Sequence, residues 1–377
     1  MPYDLLLKGG EVIDPGQGIH EQLDVAISEG QIAALSKNIA TGEAVKVVDV
    51  LGKLVTPGLI DYHAHVFIGT TDMGLKTDAI CSASGVTTLV DCGSSGAGTF
   101  EGLRRYIIEP SKTRILAFVN ISNVGLLALG VGELLNLQYI SSDQTISVIN
   151  EHREIALGIK ARIGREIVGS NGIEPLRLAR QAADMAGVPL MVHVTNSPVP
   201  LSQILAILRE GDVVTHFLNG RPNGILSGNG DIIPEVWEAR DRGILFDSAH
   251  GRGHVNFHVA RAALAERFFP DLISTDLTLS SHRNGPVYDL PTTLSKFLNL
   301  GMTLDGVIER STAVPARLIG QEGKLGTLKA GAIADISLFE LQQGSFEFRD
   351  SDGNTMTGEQ KLVCSMTIKD GNVWYRP

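Results

Sequence analysis

Two histidines one residue apart, His63 and His65, stand at the end of the run L-I-D-Y-H-A-H-V. In a β-strand, side chains two apart lie on one face, so both imidazoles can point into one cavity. Neutral imidazole is a common metal ligand, and two of them on a rigid strand make half a metal site. Standing alone, such a pair is better read as two unrelated polar residues where a strand runs out. Further residues of ligand type, at the ends of other strand-like runs, change that reading. I-A-L-G-I-K-A-R-I carries Lys160, P-L-M-V-H-V-T carries His193, and D-V-V-T-H-F-L-N carries His216. I-L-F-D-S-A-H-G carries Asp247 and His250, and L-I-S-T-D-L carries Asp276. Any one of these alone is a packed or hydrogen-bonded core residue. Histidines, a lysine and an aspartate, all toward the same end of their strands, are hard to obtain by chance.

Lys160 is the unusual member, because a lysine inside an apolar strand is costly to bury charged. Ala156, Gly158 and Arg162 share its face, and the small residues leave room around it. One reading pairs it with a carboxylate inside the fold. The other gives it a lowered pKa and lets it react with carbon dioxide, forming a carbamate whose two oxygens can bridge two metal ions. Arg162 lies two residues beyond it on the same face. An arginine beside cations needs a negative partner, either a structural acid or the carboxylate of a substrate. His250 precedes the turn G-R-G-H and is read either as a substrate-binding or supporting residue or as a hydrogen-bonded structural histidine.

The elements that must hold these residues follow from the alternation of the chain. Strand-like runs fall at 59–66, 87–93, 114–122, 155–163, 189–195, 212–218, 244–249 and 272–277, with helical stretches such as 144–155, 174–186 and 201–209 between them. Strands alternating with helices indicate parallel pairing with right-handed crossovers. Eight such units match a (β/α)8 TIM barrel, whose active sites form at the C-terminal ends of the strands. Residues 1–53 and 318–377 read instead as short strands with glycine turns. The expected architecture is therefore α/β. A barrel spans 54–317, and a small β-sandwich-like domain is built from both chain ends.

Composition narrows the functional classes. The 377 residues are 43% hydrophobic with 42 glycines, which suits a compact α/β protein. A formal net charge of -10 argues against nucleic acid or an anionic membrane as partner. No run approaches the roughly 20 apolar residues of a membrane span. Cys81, Cys92 and Cys364 are sparse and unpaired in spacing, as expected of reduced thiols in a cytoplasmic protein. A homo-oligomer is compatible with the sequence but not specified by it.

With these residues in view, the chain resembles the amidohydrolase superfamily, in the dihydroorotase-like branch that includes bacterial deacetylases. P-G-L-I-D-Y-H-A-H resembles its opening signature, and K-L-G-T-L-K-A-G-A-I-A-D-I at 324–336 resembles its closing one. The resemblance runs over essentially the whole chain. It implies two divalent ions, most simply Zn2+, with His63, His65 and Asp276 on one and His193 and His216 on the other. It also implies a carboxylated Lys160 bridging them and Asp276 as the catalytic acid–base. The reaction implied is hydrolysis of an amide or ester acyl bond by a metal-bridging hydroxide. The expected substrate is a small N-acyl or O-acyl carboxylic acid, which Arg162 and His250 would help to bind. Dihydroorotases typically carry an arginine two residues after the H-x-H pair, where this chain has Phe67. That departure removes the group that holds their substrate's carboxylate. A cyclic amidohydrolase of dihydroorotase or hydantoinase type is the alternative, followed by a non-catalytic scaffold relative.

Overall fold

The computed structural model describes residues 2–128 and 130–377. Apolar runs broken by glycine turns open the chain and form β1 (Tyr3–Asp14), β2 (Ile19–Ser28), β3 (Gln31–Ser36), β4 (Ala44–Asp49) and β5 (Leu54–Pro57). The more continuously apolar runs that follow form β6 (Leu59–Ala64), β7 (Val86–Gly96), β8 (Arg114–Asn120), β9 (Ala156–Arg162), β10 (Leu190–His193), β11 (Val213–Thr215) and β12 (Leu245–Asp247). The chain closes with β13 (Ile336–Arg349), β14 (Thr355–Lys369) and β15 (Asn372–Tyr375).

Strands β6 to β12 lie side by side in sequence order, every pair parallel. Helices cross between them. The best defined is Glu174–Ala186, with Pro175 in its first turn, Gly187 at φ 65° as its stop, and Leu176, Ala179, Ala182, Ala183 and Ala186 on its buried face. Alternate residues of the strands point inward. Ile60, Tyr62, Val90, Cys92, Leu116, Phe118, Met191 and Val213 meet there in one buried cluster. That cluster fills the lower interior, so a cavity can open only above it, at the C-terminal ends of the strands.

The eighth run, 272–277, takes its place in the barrel without forming a ladder. It joins β12 through the Asp247–Leu272 bridge and β6 through the Ala64–Leu277 bridge, which closes the circle. Ser248, His250 and Gly251 N–H donate to Leu272 O, Ser274 O and Thr275 O beside it, while two of its own amides bond outside the neighbouring strands. Ile273 N–H donates to Arg310 O at 3.2 Å, and Thr275 N–H donates to the Asp61 carboxylate at 3.0 Å.

Both chain ends meet in a second, eight-stranded sheet ordered β15-β14-β13-β5-β1-β2-β3, with β4 on β1. Strand β5 pairs with β1 and β13, so the chain leaves this sheet at Pro57, a few residues later than expected. Strand β13 runs unbroken through the glycine at 344, with a register shift between Gln343 and Phe346. Strand β14 starts at Thr355. The β13–β14 hairpin is therefore long enough for its tip, 350–354, to reach the barrel mouth. There Ser351 N–H donates to Val255 O at 2.9 Å, and the Asp350 carboxylate accepts from Phe257 N–H at 2.9 Å. Among the described residues no helix is long and apolar enough to cross a membrane.

Candidate metal centre and active site

His63 and His65 reach the cavity through a break in strand β6. Its pairing with β7 shifts register between Asp61 and Ala64. Ile60 and Tyr62 belong to the interior cluster below, and His63 and His65 line the cavity above. A regular strand would turn Tyr62 and His63 to opposite faces; the irregularity lets both point inward. Each ring is anchored by its Nδ1. His63 Nδ1 lies 3.0 Å from Thr215 Oγ1 and 3.3 Å from Asp247 Oδ2. Thr215 Oγ1 itself donates to Asp247 Oδ2 at 3.0 Å. His65 Nδ1 lies 2.9 Å from Ser94 Oγ. Such contacts fix the tautomer and aim the Nε2 lone pair inward.

Asp276 faces those two rings. Its Oδ1 is 3.1 Å from His65 Nε2 and 3.6 Å from His63 Nε2, and its Oδ2 is 3.5 Å from His254 Nε2. Its φ is 48° and that of His216 is 72°, left-handed backbone that is uncommon outside glycine. The αL conformation turns both side chains into the cavity, and such strain concentrates at functional sites.

His193, His216 and His254 form the other group of donors. His216 Nδ1–H donates to Ala249 O at 2.8 Å, and His254 Nδ1 lies 2.9 Å from Thr195 Oγ1, so their Nε2 atoms face inward. Ring centroids are 4.5 Å apart for His193–His216 and 4.0 Å for His216–His254. Burial first, and then the neighbouring cationic groups, hold the pKa of His63, His193 and His216 well below the usual value for histidine. Burial also lowers His254, to about 4, against the pull of the Asp276 carboxylate. Neutral imidazoles crowded nitrogen to nitrogen, with one carboxylate facing them, are a set of acceptors without donors. A cation satisfies such a set, and the atoms of each triad lie within 4.8 Å of one another.

Lys160, on β9, is 1% exposed, and among the described residues it has no carboxylate at ion-pair distance. Its Nζ lies 3.4 Å from His63 Nε2. Burial is the largest influence on it and lowers its pKa. The stem passes over Gly93, where a Cβ would sit 2.7 Å from Lys160 Cβ, so glycine is required there. Arg162, the next inward residue, also lines the cavity, but its charge is spoken for. Its Nε and Nη2 donate to the two oxygens of Glu133 at 2.8 and 3.2 Å, and Glu133 is 1% exposed.

His250 does not line the cavity. Its ring is buried, with Nδ1 2.9 Å from Gly251 O and Nε2 2.8 Å from Lys296 Nζ. Lys296 also donates to Pro286 O and Arg349 O, both at 2.7 Å, and so ties the hairpin to the barrel. The neighbouring turn reaches the cavity instead. Its histidine at the cavity is His254, the last residue of the G-R-G-H motif, which sequence reasoning passed over. The expected result for Lys296→Met is a loss of roughly 2–3 kcal/mol, because three acceptors lose their donor. His250→Asn should leave metal content unchanged by elemental analysis; loss of an ion would return His250 to the ligand set.

These groups meet on a cavity of about 480 Å³, lined also by Asp72, Met73, Arg252, Gly253, Thr278 and Ser280. A closed parallel barrel with histidines, an acid and a buried lysine at the C-terminal ends of its strands defines a class of metal-dependent hydrolases. The chain belongs to the amidohydrolase family, whose profile matches residues 54–374, and it is a hydrolytic enzyme. A deacetylase of Enterococcus faecalis is 36% identical over 379 residues, covering 99% of this chain and 100% of the relative. Among solved structures, an adenine deaminase superposes with a TM-score of 0.92 at 36% identity, covering 100% of both chains. A dihydroorotase superposes with a TM-score of 0.89 at 34% identity, covering 98% of this chain and 97% of the other.

Proposed function

We propose that this chain is a binuclear metal-dependent deacylase acting on a small N-acyl or O-acyl carboxylic acid. The observation that carries the reading is the pair of facing donor triads, His63, His65, Asp276 and His193, His216, His254, with buried Lys160 beside them. His63, His65 and Asp276 would hold one ion, and His193 and His216 the other, with His254 within reach of it. A carboxylated Lys160 would join the two. The nitrogen and carboxylate donors suit zinc. When bound, the ions supply Lewis acidity toward an acyl carbonyl and make water nucleophilic near neutral pH.

The remaining work falls to the chain's own groups. Asp276 Oδ1 and Oδ2 both face the cavity, so this carboxylate can take a proton from the attacking water and return it to the leaving nitrogen or oxygen. His254, neutral because of its lowered pKa, stands 3.5 Å from Asp276 Oδ2. The full-length match to a deacetylase supports acyl transfer to water over deamination or ring opening. The dihydroorotase likeness favours cyclic amides as the second reading. Against it stands Phe67, which is 6% exposed, packs in the hydrophobic core and lies outside the cavity lining. Position 67 therefore offers a substrate no cation.

The test pairs metal analysis with a substrate panel. Protein purified without chelator should hold about two divalent ions per chain. It should hydrolyse acyl carboxylic acids faster than cyclic ureides. Full activity in metal-free protein would end this reading, and a preference for ureides would select the second.

A further inference from the structure

We propose that Arg252 is the specificity-determining residue that binds the substrate's carboxylate; this rests on the acyl-acid reading above. Among the described residues the cavity wall carries three side chains of the lysine and arginine type, Lys160, Arg162 and Arg252. Lys160 lies buried beside His63 at the metal-binding floor. Arg162 donates from one edge, Nε and Nη2, to both oxygens of the buried Glu133, which compensates its charge. A guanidinium whose charge is already met by a buried carboxylate draws a second anion less than one without an ion pair.

Arg252 differs in each respect. It is exposed at the cavity wall, and among the described residues it makes no ion pair. Its side-chain partner is the neutral hydroxyl of Ser280, which accepts from Nη1 at 2.9 Å. That bond steadies the guanidinium and leaves its remaining N–H groups for a ligand. A planar fork with free N–H donors matches a carboxylate in two parallel bonds. The protein as a whole carries a formal charge of -10, so an uncompensated cation at the cavity is also the feature that would draw an anion in.

The backbone around Arg252 is fixed close to the reacting groups. Gly251 has a φ of 49°, and a Cβ there would lie 2.3 Å from Asp276 Oδ2 and 2.4 Å from His254 Cδ2. The residue before Arg252 therefore abuts the carboxylate that handles the proton. Gly251 N–H donates to Thr275 O at 2.8 Å. From the other side, Ser351 at the hairpin tip accepts from His254 N–H at 3.0 Å and from Val255 N–H at 3.2 Å, and donates to Gly251 O at 3.2 Å. The turn is thus bonded on both sides of Arg252, and only the side chain has freedom. A compact substrate fits this wall, with its acyl group toward Asp276 and its carboxylate toward Arg252. N-acyl α-amino acids and O-acyl α-hydroxy acids are of that kind.

The experiment compares an N-acyl amino acid with its primary amide, which keeps the shape and loses the charge. In Arg252→Met, the ratio of kcat/KM for acid over amide should fall roughly 10–100-fold, the factor for losing a charge-assisted pair. The loss should appear in KM for the acid, and Arg252→Lys should restore part of it. Metal content should match that of the unsubstituted enzyme. An unchanged acid-to-amide ratio, with or without a general loss of rate, would overturn the assignment while the deacylase reading stands. If the unsubstituted enzyme opens cyclic ureides and cleaves no acyl acid, the reading and the assignment fall together, and that is seen before any substitution is made.

Discussion

Lys160→Ala should strip the centre of at least one of its two ions and abolish turnover. The expectation rests on charge. Two divalent ions bring four positive charges, and neutral histidines cancel none of them. Asp276 is the one acid in the two triads. The nearby acids are engaged elsewhere: Asp247 accepts from Thr215 and Ser274, and Asp61 accepts from Thr275. Burial raises Asp247 to about 6 and Asp61 to about 7, and neither belongs to the two donor triads. A lysine ammonium 4 Å from one dication would be repelled by about 8 kcal/mol at an effective dielectric constant of 20. Lys160 therefore fits the centre only in another form. Burial already favours its neutral amine, the form that adds to carbon dioxide, and a carbamate there would supply the missing negative charge. Elemental analysis should read one ion or fewer per chain in the variant, and a short carboxylic acid should restore part of the metal and rate. Carbon-13 NMR of enzyme prepared with labelled bicarbonate should show a carbamate carbonyl that Lys160→Ala lacks. An unmodified Lys160 amine beside two fully occupied ions would falsify the mechanism.

Much of this site was legible in the sequence because it depends on strand ends. A side chain at the end of a parallel barrel strand faces the mouth whatever its neighbours do, and His63, His65, Lys160, His193, His216 and Asp276 all line one cavity. The resemblance to known hydrolases supplied what spacing could not, namely which of them belong together. What escaped depends on contacts made far along the chain. His250 and His254 stand in one turn, and nothing local tells them apart. Lys296 holds the first ring in the core, and Ser351, from a hairpin about a hundred residues later, holds the backbone of the second. Separation along the chain also hid Glu133, which pairs with Arg162 from an irregular loop 29 residues earlier. The length of the hairpin is hard to read because T-M-T-G-E-Q-K is mostly polar, with only Met356 and Gly358 buried. A two-stranded ribbon needs no continuous apolar face, so its sequence carries little strand signal. The eighth run reads as a strand in L-I-S-T-D-L, yet Asp276 at φ 48° and side-chain partners for the backbone leave it without a ladder.

That unusual backbone makes Asp276→Asn the cleanest test of the proton route. Asparagine, like aspartate, tolerates the left-handed region, whereas most side chains are strained there. The segment is also pinned from both sides. Thr275 bonds the Asp61 carboxylate through its N–H and Oγ1, at 3.0 and 2.6 Å, and His65 N–H donates to Leu277 O at 2.9 Å. The amide should therefore occupy the carboxylate's place, with stability changed by no more than about 1 kcal/mol. The chemistry should not survive. An amide oxygen can still approach a cation, but an amide does not accept and return a proton near neutral pH. Turnover should fall roughly 10²–10⁴-fold, the usual contribution of a positioned acid–base. Asp276→Ala should show a similar loss of rate and, in addition, a lower melting temperature from the strained backbone. Turnover within a few-fold of the unsubstituted enzyme in the asparagine variant would mean that the proton travels by another group. His254, 3.5 Å from the same carboxylate, is the first residue to substitute next.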